Sequence, residues 1–200
     1  MKDTIVEIKR IGGVARVRLL SGETLKIPSA LFLERRLRAG QTVDADEYRQ
    51  YMLKNGYPHA LETAVYYLSL RERSEKEIIA WLKRSCYPEE VIARVMETLQ
   101  KHDFVSDARF AEQWVHHRAR QYGKSRIAQE LKMKGVGAAE AQDALAALPP
   151  EEEMQSAEKQ AKKIARRLHG DEMKITQALV RRGYGWALAK QAAKNALTEE

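Results

Sequence analysis

The chain has 200 residues, 44% of them hydrophobic and 32% charged, with a net charge of +7. That length allows one or two domains, and scarce proline and glycine favour long helices over an all-β fold. No run of about 18 apolar residues is present, which argues against a membrane span. The start MKDTIVEIKRIGG lacks an apolar signal core and a single cysteine excludes an internal disulfide, so a cytoplasmic protein is expected.

Taken in order, Thr4–Ile11 alternates apolar and polar residues and reads as a strand. Gly12-Gly13 signals a hairpin turn, and Val14–Leu20 alternates again with Arg16 and Arg18 on one face. Thr24–Ile27 is a third short strand. Ser29–Arg38 reads as a helix stopped by Gly40. Asp44 caps another, which is expected to run to about Lys54 and end at Asn55-Gly56. Residues 1–56 are thus expected to form a small N-terminal β-hairpin module with two short helices.

The remainder repeats itself. With Ser74–Leu99, Gly123–Leu148 and Asp171–Ala196 in register, the fifth position is Ile78, Ile127 and Ile175, and the ninth is Leu82, Leu131 and Leu179. Four residues later stand Cys86, Gly135 and Gly183, where a helix ends in a left-handed residue. A fixed period of this kind marks a repeat architecture. Each unit reads as a helix, then a helix, tight turn and helix. The expected division is 1–56, then three-helix repeats at 57–105, 106–149 and 150–200. The predicted fold is mainly α, an elongated and curved array of three tandem repeats behind the β module.

Basic residues concentrate on the first and second helices of the later repeats. In Glu151–Leu168, Lys159, Lys162, Lys163, Arg166 and Arg167 fall at helical spacing on one face, opposite Ala157, Ala161, Ile164, Ala165 and Leu168. A solvated face usually mixes signs; five cations without an acid among them favour an anion-binding face. Arg109, Arg118, Arg120, Lys124, Arg126, Lys132, Lys134, Lys174, Arg181 and Arg182 extend the candidate surface, and Arg16 and Arg18 are candidate N-terminal contacts. Sequence-specific reading by a helix-turn-helix is disfavoured, because the third helices open on Pro88-Glu89-Glu90 and Gly137-Ala138-Ala139. Trp81 and Trp114 fall on apolar faces and read as core. No phosphate loop, nucleophile elbow, zinc spacing or paired catalytic carboxylates are found, so neither enzyme activity, a metal nor a cofactor is expected.

Several spaced elements resemble the RecX family. They are Asp107-x-Arg109-Phe110-Ala111, Val115-x-x-Arg118, and Gly123-x-x-Arg126-Ile127-x-x-Glu130-Leu131-x-x-Lys134-Gly135. Arg73-Ser74-Glu75, with Leu82 downstream, resembles the family's first-repeat motif. Asp103 stands where the family usually has glycine, and Asp also takes the left-handed turn. The resemblance covers about residues 57 to 197. It implies a cytoplasmic, monomeric regulator that binds the groove of the RecA–DNA filament. It further implies inhibition of RecA's recombinase, ATPase and coprotease activities in DNA repair and the SOS response. The basic surface would then meet RecA or single- or double-stranded DNA without sequence preference. A stand-alone non-specific DNA-binding protein and a helical interaction scaffold are the alternatives from other classes.

Overall fold

The computed structural model describes residues 2–198; Met1, Glu199 and Glu200, the outer ends of the expected first and last segments, lie outside the described residues. The chain forms two compact units that divide between Val105 and Ser106. No described helix is long and apolar enough to cross a membrane.

The first unit holds strands β1 (Lys2–Ile11), β2 (Val14–Leu19), β3 (Thr24–Pro28) and β4 (Thr42–Asp44). Its helices are α1 (Ser29–Arg35), α2 (Ala45–Ser69), α3 (Glu75–Arg84) and α4 (Glu89–Lys101). The strands make one antiparallel sheet in the order β3-β2-β1-β4. Alternation turns Ile5, Val17, Leu19, Leu25 and Ile27 into the core. A register shift between Ile5 and Glu7 leaves Val6 as an extra, exposed residue. The module therefore has four strands where three are expected. β4 pairs only Thr42, Val43 and Asp44 with β1, too short a run to show a period.

Two helix ends differ from expectation. α1 stops at Arg35 because Arg36 takes the left-handed conformation (φ 46°), before Gly40 is reached. α2 begins as expected, with the Asp44 carboxylate accepting from the Asp46 and Glu47 amides at 3.0 and 3.3 Å. It then runs unbroken through Asn55-Gly56 to Ser69, with Pro58 inside it. Gly56 is buried there, and a Cβ on it would sit 3.5 Å from Val91 and 3.7 Å from Leu31. The Asn55 side-chain amide donates back to the Tyr51 carbonyl at 2.9 Å. Packing on α1 and α4 thus overrides a local stop signal.

The second unit contains α5 (Asp107–Arg118), α6 (Lys124–Lys134), α7 (Ala138–Ala146), α8 (Pro150–Leu168), α9 (Glu172–Arg181) and α10 (Trp186–Thr198). Pro149 and Pro150 end one repeat and open the next: Pro149 caps α8 and Pro150 is its first residue.

The three repeats share one internal geometry. Ile78, Ile127, Ile175, Leu82, Leu131 and Leu179 all have 0% exposure. Cys86, Gly135 and Gly183 are left-handed, with φ of 64°, 87° and 91°. Each donates to the carbonyl three residues back, at 3.0, 3.1 and 2.8 Å, and the residue after each donates to the buried leucine's carbonyl at 3.2, 3.1 and 3.3 Å. This is the Schellman ending, made three times. Asp103 ends α4 the same way, with φ 54° and a 2.8 Å bond from the Phe104 amide to the Leu99 carbonyl.

The starts of the second helices are less uniform. Ser74 and Asp171 cap α3 and α9 with their side chains, at 3.2 Å to the Glu77 amide and 3.0 Å to the Lys174 amide. Gly123, at the same place, has no side chain to offer. The third repeat satisfies α6 instead. The Gly123 amide donates to the Arg182 carbonyl (3.1 Å), the Ser125 amide to the Gly183 carbonyl (3.2 Å) and the Lys124 amide to the Glu153 carboxylate (3.3 Å). The approach is so close that only glycine fits: a Cβ on Gly123 would lie 2.3 Å from the Gly183 oxygen.

Candidate functional site

α8 presents the candidate surface most directly. Lys159, Lys162, Lys163, Arg166 and Arg167 are all exposed. Ala157, Ala161, Ile164 and Ala165 are buried on the opposite side against Ile175, Leu179 and the alanines of α10. Small residues on both helices let α8 and α10 pack closely while the long cations stand in water. Of the nearby acids, Glu158 accepts from the Asn195 side-chain amide at 2.6 Å, and Glu153 from the α6 backbone at 3.3 Å. Glu151–Glu153 also occupy the first turn of α8, where acids interact favourably with the helix dipole, while Arg166 and Arg167 fall in the last turn.

Arg120 extends this face. His116, Arg120 and Lys159 line a cleft of about 400 Å³ between the end of α5 and α8. The Arg120 guanidinium reaches the His116 ring nitrogen at 3.5 Å. The two helices are tied beneath the cleft. Ser156 Oγ donates to the Ala119 carbonyl at 2.6 Å, and Gln160 Nε2 to the Arg120 carbonyl at 3.2 Å. Lys132 on α6 and Arg181 on α9 are exposed as well.

Other cations of the candidate set hold the fold together. Arg118 makes a bidentate pair with Glu130 at 2.7 and 2.6 Å, joining α5 to α6. The Trp114 indole donates to the same carboxylate at 3.1 Å and Arg126 Nε at 3.4 Å. Glu130 is buried, and Arg118 beside it holds its carboxyl below the usual range. The same contact raises the Arg118 guanidinium above its ordinary value. Arg118 also stacks on Tyr122, 4.3 Å from the ring centre. Lys134 sits 4.7 Å over Trp114, whose half-buried ring stacks on Phe110 at the edge of the core. Trp81 is likewise stacked, on Tyr67.

Lys124 Nζ donates to the Leu148 carbonyl at 3.1 Å, and Arg182 to Gln160 Oε1 at 2.7 Å. The Lys174 backbone amide first, and then its ammonium group at 3.0 Å, hold the capping Asp171 carboxyl below the usual range. Arg109 is half-buried on α5. In the first unit, Arg16 and Arg18 project from β2, and Arg18 pairs with Glu7 at 3.1 Å. Two features escaped sequence reasoning. Glu130 reads as one more surface acid, although its i+4 spacing from Arg126 was visible. The Gly123–Gly183 contact left no signal beyond the glycines themselves.

Three-helix units with matching buried positions, one of them faced with exposed basic residues, define a helical-repeat protein. Comparison with known proteins makes this specific. Residues 60–99 match the family model for the first three-helix domain of RecX, and residues 106–145 the model for the second. A regulatory protein RecX from Clostridium acetobutylicum is 30% identical over 173 residues, spanning 82% of this chain and 80% of that protein. One from Mycobacteroides abscessus is 38% identical over 148 residues, 66% of this chain and 69% of its own. The match to the Oceanobacillus iheyensis relative, at 32% identity, spans 61% of that protein. The chain belongs to the RecX family of regulatory proteins. A crystal structure of a regulatory protein RecX shares the fold, with a TM-score of 0.65 at 24% identity over 99% of this chain and 100% of that one. Another, of RecX from Lactobacillus salivarius, has a TM-score of 0.63 over 72% of this chain and 97% of its own.

Proposed function

We propose that this protein regulates the RecA recombinase in the cytoplasm by binding in the groove of the RecA–DNA filament. Bound there, it inhibits ATP hydrolysis, strand exchange and coprotease activity during DNA repair and the SOS response. The observation that carries the reading is the exposed cation face of α8 in a RecX-family chain. A polymer of RecA on DNA offers repeated anionic sites, and several weak contacts along it add up without one deep pocket. The contact surface is assigned to Lys159, Lys162, Lys163, Arg166 and Arg167 with Arg120, Lys132 and Arg181. Arg118, Lys124 and Arg182, half-buried, support that surface through their contacts within the fold, and the exposed Arg126 through Glu130. With no nucleotide-binding motif in the chain, the effect on ATP hydrolysis is indirect.

The test is DNA-dependent ATP hydrolysis by RecA, titrated with the protein from substoichiometric to equal amounts. Inhibition is expected, together with its loss by about tenfold when Lys163 and Arg166 are both changed to Glu. Absence of inhibition, with no binding to the filament, refutes the proposal. The exposed cations also favour a second reading, in which the protein coats DNA on its own. Five neutralised phosphates would then give a log affinity that falls with log salt at a slope of about −4 to −5. Inhibition that survives the double charge reversal counts against that reading.

A further inference from the structure

The outward face of the N-terminal sheet carries a row of like charges. Lys26 on β3 lies directly opposite Arg16 on β2, and Arg16 directly opposite Lys9 on β1. All three side chains are exposed. Arg18, two residues along β2, adds a fourth cation on the same face and stands opposite Glu7 and Thr24. Glu7 is the one acid among them, and it is shared: Lys9 approaches it at 2.8 Å and Arg18 at 3.1 Å. Arg16 and Lys26 have no carboxylate of the described residues within ion-pair distance.

Like charges directly opposite each other weaken a sheet. Neighbouring strands are only about 4.8 Å apart, so this row is held in close register by the backbone. A sheet needing only solubility would alternate the signs across its strands. We infer that this face is a binding surface for the phosphate backbone of duplex nucleic acid, separate from the helical cation face.

The composition of the face selects that partner. Cores of protein–protein interfaces are depleted in lysine and anchored by aromatic side chains. Here two of the four cations are lysines, and β1, β2 and β3 contain no aromatic residue. The apolar Ile11 and Leu20 stand at strand ends, on the rim. Lack of aromatic rings also removes the stacking platform that single strands use. What remains is electrostatic contact with phosphates, which is strongest where their density is highest, on a duplex. Arg16 supplies the planar fork that suits phosphate oxygens.

The experiment uses the full chain and a fluorescent 30-base-pair duplex of arbitrary sequence, without RecA, over a range of salt. The variant is Arg16→Thr with Lys26→Thr, since threonine suits a strand and carries no charge. Binding is expected to weaken by about tenfold at low salt, and the salt slope to shrink by about 1.8, for two lost phosphate contacts. The variant's melting temperature is expected to equal or exceed the parent's, because the repulsion is gone. A charge-preserving exchange, Arg16→Lys with Lys26→Arg, is expected to keep the slope. Four outcomes overturn the inference. They are absence of duplex binding by the parent, an unchanged slope in a folded threonine variant, a greater loss on a single strand than on the duplex, and loss of binding to polyglutamate alone. The last identifies an acidic protein as the partner. None of these readouts depends on RecA, so the filament proposal can fail while this one stands.

Discussion

Gly123 and Gly183 pack backbone to backbone: a methyl group on Gly123 would fall 2.3 Å from the Gly183 carbonyl oxygen, and one on Gly183 would fall 2.4 Å from the Arg126 amide nitrogen. At that point the second and third repeats touch through their backbones. Alanine at Gly123 must displace backbone, since the obstacle is a peptide group rather than a flexible side chain. The expected cost for Gly123→Ala is about 3 kcal/mol, the upper range for overpacking. Urea unfolding of the full chain measures it, and an unchanged midpoint would refute the contact.

The Arg118–Glu130 pair gives a pH dependence with a defined sign. The folded-state pKa of Glu130 lies below its ordinary 4.5, mainly through the hydrogen bonds from Arg118. Its contribution to stability is therefore complete above the unfolded-state pKa and is lost as pH falls through the lowered folded value. Glu130→Gln is expected to cost about 2 kcal/mol near neutral pH, because a hydrogen-bonded charge is removed and Arg118 is left without its partner. The same variant should lose less stability than the parent between neutrality and acid. Thermal melts at several pH values test both statements.

Cys86 occupies a position that glycine fills in the other two repeats, with φ of 64°. A left-handed conformation costs a non-glycine residue about 1–2 kcal/mol, partly offset by glycine's greater freedom when unfolded. Cys86→Gly is expected to stabilise the protein by about 0.5–1 kcal/mol. A lower melting temperature in this variant would show that the thiol contributes packing that outweighs the strain.

Gly56 offers the opposite case. It is helical, its φ is not left-handed, and a Cβ would make ordinary contacts with Val91 and Leu31. Gly56→Ala is expected to raise stability by about 0.5–1 kcal/mol, read from calorimetry. A destabilised variant would mean that the added methyl group is not accommodated between Val91 and Leu31.

The repeats were legible because their information is local. An isoleucine, a leucine four residues on and a left-handed residue four beyond that specify a buried helix face and its ending within a single helix and turn. The basic face of α8 was legible for the same reason, as a helical period read directly from residue spacing. Asn55-Gly56-Tyr57-Pro58 misled because its local preference is to stop a helix, while Leu31 and Val91, distant in sequence, pack against the continued one. β4 was invisible because three residues carry no period. The cations of α5 and α6 looked alike on paper. Arg118 and Arg120 differ only in that Glu130 waits beneath one of them, twelve positions away along the chain. Spacing shows which side of a helix a charge occupies; it does not show whether a neighbouring helix brings an acid there.

The docking of Gly123 against residues 182 and 183 also sets a timetable for synthesis. α6 leaves the ribosome about sixty residues ahead of the carbonyls that receive its first amides, several seconds at ordinary elongation rates. Until α9 and its turn emerge, that helix start is solvated rather than capped. The middle repeat thus reaches its finished form only when the last one arrives, and a nascent chain halted after α7 would carry an unfinished α6.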